Sequence, residues 1–276
     1  MGFKRKIRVW FGRSLFSGAI ALVISLAIVA NVQDMLSAQP STAFATLPNA
    51  QIHPLPSTLA QWRDPQQSGD YFDQVQAVAV NYLVWSTFPV RVYVEPPTAA
   101  EQVNPFTAKR ARIWVTAVEK AVQEWNVYLP LKRVDQAEDA DIQVARSLLA
   151  LRFDLTHQDG ENRKLPILRA RSAETRFELY AKKPPTAGSD ATSDQPSILS
   201  HRVTVYIRPD QAADYLQAAA RHELGHALGI WGHSPQQTDA LYFSQVRNPA
   251  KISARDLNTL KRVYEQPTRL GWTISH

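Results

Sequence analysis

Three of the chain's seven histidines fall within the 12 residues His222-Glu223-Leu224-Gly225-His226-Ala227-Leu228-Gly229-Ile230-Trp231-Gly232-His233. On a helix, residues four apart share one face a turn apart, so His222 and His226 present their rings side by side. That spacing lets both imidazoles reach one Zn²⁺ at about 2.0–2.1 Å. Glu223 is rotated by one helical step, so its carboxylate can approach a water at the metal without displacing it. Gly229 can take a positive φ, end the helix and turn the chain back, which brings His233 within reach as a third ligand. Three protein ligands and one open position are what a catalytic zinc requires. Zinc lowers the pKa of a water in that position towards about 7, and a nearby base takes its proton and returns it to a leaving group. The residues thus predict one Zn²⁺ on His222, His226 and His233, with Glu223 as general base.

The rest of the metal-binding inventory is thin. There is no cysteine, so any metal must be held by His, Asp or Glu. His157-x-Asp159 offers either a second metal site in a loop or a merely solvated pair. His201 reads as an ordinary strand-edge residue, His53 sits among prolines, and His276 is terminal.

Positioning a site of this kind takes a framework, and the hydrophobic pattern supplies one. Val90, Val92 and Val94 alternate with polar or half-polar neighbours, the signature of a half-buried strand closed by Pro96-Pro97. Asn104-Pro105 provides an N-cap and a first-turn proline. Trp114, Ala117, Val118, Ala121, Val122, Trp125 and Tyr128 then recur at helical spacing, predicting a long amphipathic helix that stops before Pro130. The tryptophan stripe is read as core packing. Short strands are expected over Ala140–Val144 and Val203–Ile207, with one or two more between Ile167 and Tyr180. Lys183–Ser197 is turn-rich and expected to be mobile. Helices are expected over about 210–228 and after Ser253, where Ser253 and Asp256 form a capping box. The pattern is α+β, in a single domain of about 200 residues.

With these elements in place, the sequence resembles the metzincin metallopeptidases, and among them the matrixins. The resemblance rests on HELGHALG and on Trp125 followed by Ala140-Asp141-Ile142. It is supported by the turn Thr238-Asp239-Ala240-Leu241-Tyr242 and by Ile252-Ser253-Ala254-Arg255-Asp256-Leu257 with Val263-Tyr264. It spans about Val90 to Tyr264, with residues 146–206 essentially unmatched. It implies a zincin-like catalytic domain, a five-stranded mixed sheet on long helices, and a peptide substrate bound along the cleft as an added edge strand. It also implies that residues around Ala240 to Val246 line the pocket for the residue after the scissile bond. Three departures stand out. His233 follows Gly229 by four residues instead of three, an insertion that Gly232 could absorb as a bulge and that leaves Asp239 as an alternative third ligand. Leu241 replaces the methionine of the family's turn, an apolar exchange under the metal. The absence of cysteine excludes a cysteine-switch latency, and the unmatched middle weakens any case for structural zinc or calcium.

Composition sets the address. The net charge is +6, yet Lys4, Arg5, Lys6, Arg8 and Arg13 supply five of those charges and residues 1–30 contain no acid. The body is therefore nearly neutral, which argues against a nucleic-acid partner. The cations precede an apolar run from Leu15 to Ala30, so residues 1–38 are expected to be a signal peptide or, with residues 14–30 in the bilayer, a signal anchor. Residues 39–70 read as a low-order linker or pro-segment, and 71–276 as the folded domain. The expected protein is an exported zinc endopeptidase, periplasmic, extracellular or membrane-anchored. Two other readings use the same ligands: an exported binding module that keeps zinc for stability, and a zinc amidase acting on cell-wall peptides.

Overall fold

The computed structural model describes residues 47–147, 172–183, 196–244 and 246–274, and the backbone of two strands at 152–158 and 164–169. The alternating valines form β1 (Val90–Val94), every second residue of which is buried. Thr98 caps a short helix, α1 being Ser57–Gln61 and α2 Ala99–Val103. Asn104 then accepts a hydrogen bond from the Phe106 amide and, with Pro105 at the first position, opens α3 (Pro105–Asn126). The strands that follow are β2 (Leu131–Val134), β3 (Ile142–Arg146), β4 (Arg152–Gln158), β5 (Lys164–Arg169), β6 (Ala173–Lys182) and β7 (Ile198–Ile207). Helices α4 (Ala213–Ala227) and α5 (Ala254–Tyr264) complete the set.

Five strands make one mixed sheet in the order β2-β1-β3-β7-β6. β1 runs parallel to β2 and β3, β3 parallel to β7, and β6 antiparallel to β7 at the edge. β4 and β5 pair separately as an antiparallel ladder. Two long helices cover the sheet. On α3, Trp114 and Trp125 are fully buried, in one cluster with the apolar residues of β1, β3, β7 and α4. The Trp125 indole donates to the Arg221 carbonyl of α4 at 2.8 Å, and the Arg221 guanidinium forms an ion pair with Glu124 of α3. The expected tryptophan stripe is thus packing, and it locks α4 on α3. The architecture is α+β, with a mixed five-stranded sheet and five helices among the described residues.

Three sequence expectations change here. Residues 47–70 are not a low-order segment. Leu59 is fully buried, the Thr58 hydroxyl donates to the Tyr128 carbonyl at 2.6 Å, and the Trp62 indole donates to Asn258 at 2.9 Å. Order here comes from single buried residues and long-range hydrogen bonds, which leave no periodic signature. β2 and β4 were not anticipated: Leu131 and Val134 of β2 are three apart and give no period of two, and the alternation in β4 is limited to Phe153 and Leu155. His201 is not a strand-edge residue: it lies in β7, inside the sheet, 2% exposed and stacked on Trp85 at 3.8 Å. Its burial lowers the imidazole pKa to about 3. The leader at 1–38, most of the turn-rich stretch at 183–197 (residues 184–195), Asp159 and His276 lie outside the described residues, as does the side chain of His157. No described helix is long and apolar enough to cross a membrane.

The packing of residues 47–70 has a measurable consequence. Leu59→Ala is expected to destabilise the protein by about 2–5 kcal/mol in a denaturant titration, as for other buried leucines. A change near zero would restore the low-order reading of that segment.

Candidate metal centre

The site is built at the end of α4, whose termination is set by sequence. Gly229 takes φ +128°, and the two bonds of a Schellman turn close the helix: Gly229 N–H to the His226 carbonyl and Ile230 N–H to the Gly225 carbonyl, both 3.0 Å. The Trp85 indole donates to the Ala227 carbonyl and the Tyr264 hydroxyl to that of Leu228, so two helix-end acceptors are satisfied from outside. The reversed chain carries Trp231 between the ring of His226 and that of Phe177 on β6, with centroids 6.0 and 5.2 Å away. His233 follows and meets the pair on the helix.

The ligand atoms offered by His222, His226 and His233 all lie within 4.8 Å of one another, the one grouping of this kind among the described residues. His222 Nδ1 is 2.9 Å from the Ala240 carbonyl, and His226 Nδ1 is 2.7 Å from that of Ile230. A carbonyl oxygen only accepts, so each Nδ1 carries its ring's proton. In the neutral rings each Nε2 then presents a lone pair, and these two atoms are 3.1 Å apart. Two lone pairs at that distance repel unless a cation lies between them. Two nitrogens on a tetrahedral zinc, at about 2.0–2.1 Å from it, would be about 3.3–3.4 Å apart. The donor set therefore fits a zinc ion. Burial first, then the other two imidazoles, holds the His226 pKa well below its usual range. Burial and His222 lower that of His233 to about 4. Both rings are thus neutral, with lone pairs available, at neutral pH.

Asp239, the alternative third ligand, stands outside this grouping. Its carboxylate is 2% exposed and accepts hydrogen bonds from the Ser234 hydroxyl and, at 3.0 Å, from Arg255 Nε. It shapes the turn that carries Leu241. Leu241 is fully buried, and its side chain lies so close under α4 that a Cβ at Gly225 would be 2.6 Å from it. The turn is held by Asp256. That buried carboxylate accepts from the Tyr71 hydroxyl (2.6 Å) and the amides of Ser253 (2.8 Å), Ala240 (2.9 Å) and Leu241 (3.4 Å). Burial raises its pKa, and the hydrogen bonds from Tyr71 and the backbone oppose that rise. Since Ala240 also receives the His222 Nδ1–H, Asp256 fixes a ligand at one remove.

Glu223 is 9% exposed, and its Oε2 accepts a 2.6 Å hydrogen bond from the Thr175 hydroxyl of β6. The three histidines, Glu223 and Ala173–Thr175 of β6 all border one open cleft of about 730 Å³. Ala240, Tyr242, Phe243, Ser244 and Val246 form part of its wall. Neither Thr175 nor Asp256 emerged from the sequence as a site residue. Thr175 lies in the stretch without a motif, and Asp256 was visible only as a helix cap. His53 lies elsewhere, stacked on Trp272 and donating to the Leu270 carbonyl.

No protein-family model matches the chain, and no curated protein matches it.

Asp256→Ala should cost roughly 2–4 kcal/mol in urea unfolding, since each buried donor left unpaired costs about 1–3 kcal/mol. Asp256→Asn should lose less, because one carbonyl oxygen still accepts. Equal stability of all three proteins would contradict the central place given to this carboxylate.

Proposed function

We propose that the protein is an exported zinc-dependent endopeptidase of the metzincin type, matrixin-like, with a zincin-like catalytic domain. The observation that carries the reading is the convergence of three imidazoles beside Glu223 on an open cleft. His222, His226 and His233 would hold the ion, and zinc in that place supplies a Lewis acid with an open position for water. Glu223 takes a proton at its carboxylate and returns it to the leaving amine. The Thr175 hydroxyl orients that carboxylate by its bond to Oε2.

β6 borders the cleft and is the edge strand of the sheet, so an extended peptide can add to it through main-chain hydrogen bonds. That edge beside the cleft supports a peptide or protein substrate. The nearly neutral body offers no basic field for nucleic acid. Export rests on the cationic and apolar leader, with residues 14–30 as the membrane anchor if the leader is retained.

Catalysis is favoured over a purely structural ion because structural zinc sites are closed, whereas all three histidines here border the open cleft. A cell-wall amidase would use the same ligands, and parallel assays on casein and peptidoglycan separate the two.

Glu223→Gln should keep about one zinc per chain and lose casein cleavage by about 10²–10⁴-fold. A Gln variant as active as the parent would remove Glu223 from the mechanism. Chelation should abolish activity while the far-ultraviolet circular dichroism stays native, because the apolar core is built without the metal. Unfolding on chelation would instead mark a structural ion.

A further inference from the structure

His222 and His226 are each anchored by a carbonyl, but among the described residues His233 has no such bond. Its place depends on the backbone around it. On one side the Ser234 amide donates to the Leu241 carbonyl at 2.8 Å. On the other side runs the chain that precedes β1, in contact with the last residue of α4 and, at three successive points, with the reversed loop. The Trp85 indole reaches the Ala227 carbonyl, and the Leu83 carbonyl lies where a Cβ on Gly229 would approach to 2.7 Å. The Gln76 amide donates to the Trp231 carbonyl at 3.0 Å. At Gly232 a Cβ would lie 2.1 Å from the Gln74 carbonyl oxygen and 2.9 Å from the Val75 Cα. Gly232 does not have a positive φ, so glycine is required there for space and not for conformation.

We propose that Gln74–Gln76 is the positioning element of the third ligand: its backbone clamps Trp231 and Gly232 and thereby seats His233 at the metal centre. The inference rests on the metal reading above. It gives the extra residue between Gly229 and His233 a physical counterpart, because a longer ligand loop needs support from outside itself. It also makes residues 71–85 part of the working site. Proteolytic trimming that removed them would lower metal affinity and could not serve as activation.

The test measures zinc affinity by competition with a chromophoric chelator in the full chain, alongside melting of the zinc-free protein. Gly232→Ala pushes a methyl group against the Gln74 carbonyl and should weaken zinc binding by about 10- to 100-fold, the range for losing a ligand's supporting partner. Zinc-free melting should fall as well, because the methyl group must displace backbone, so the dependence on His233 is the deciding comparison. In a His233→Ala background the same substitution should alter affinity by less than about twofold, since the ligand it positions is gone. Gln76→Pro removes the amide donor and should act in the same direction, again only when His233 is present. The proposal is overturned if both variants bind zinc like the parent, or if they lose affinity equally with and without His233. If Gly232→Ala does not fold, Gln76→Pro decides alone. A parent protein that takes up no zinc would sink the metal reading itself, a result visible before any variant is made.

Discussion

Two imidazole nitrogens facing each other at 3.1 Å, each with its ring proton committed to a carbonyl on the far side, form an arrangement that a polypeptide does not adopt cheaply. Left to themselves the rings would rotate and relieve the repulsion. They stay because the carbonyls that receive their Nδ1 protons are themselves fixed. The Ile230 carbonyl is set by the Schellman turn at Gly229, and the Ala240 carbonyl by the bonds of its turn to Asp256. Those two turns hold the acceptors, and the lone pairs left facing each other are the ones proposed above to hold a zinc ion.

Asp256 shows how several distant segments share one polar atom pair. The residue begins as a helix cap, which is a local role. Its remaining capacity gathers a tyrosine hydroxyl 185 positions away and two amides of the turn beneath the site. Hydrogen bonds from so many elements to one buried carboxylate are cooperative in effect, since losing any of them leaves the charge less compensated. Leu241 completes the arrangement from the apolar side by filling the space under Gly225.

What the sequence made legible was whatever has a short-range cause. The i, i+4 histidines, the helix-ending glycine, the caps at Asn104 and Ser253 and the alternating valines of β1 and β7 each obey a rule spanning a few residues, and each lies where that rule puts it. What stayed hidden depends on partners far along the chain. The hydroxyl of Thr175 gains meaning only when β6 is laid beside α4, and the segment around Leu59 is ordered by contacts with residues past 120 and 250. Gly232 was readable as a device for an inserted residue, but its reason, a carbonyl approaching from residue 74, is tertiary. His201 misled for the same cause, because a histidine in an alternating strand gives no hint of the tryptophan stacked on it.

The stitching of residues 48–53 to residues 268–272 has a consequence for how the protein comes into being. Gln51 and Thr268 exchange both backbone hydrogen bonds, Arg269 donates to the Pro48 carbonyl, and His53 donates to that of Leu270. The first stretch of the folded body thus finds its partner only after more than two hundred further residues have been made. Synthesis delivers the chain in order, so residues 48–53 meet no partner at 268–272 until nearly the whole chain exists. A chain cut short before residue 268 carries the whole histidine motif, yet leaves this first stretch of the body without its backbone partner.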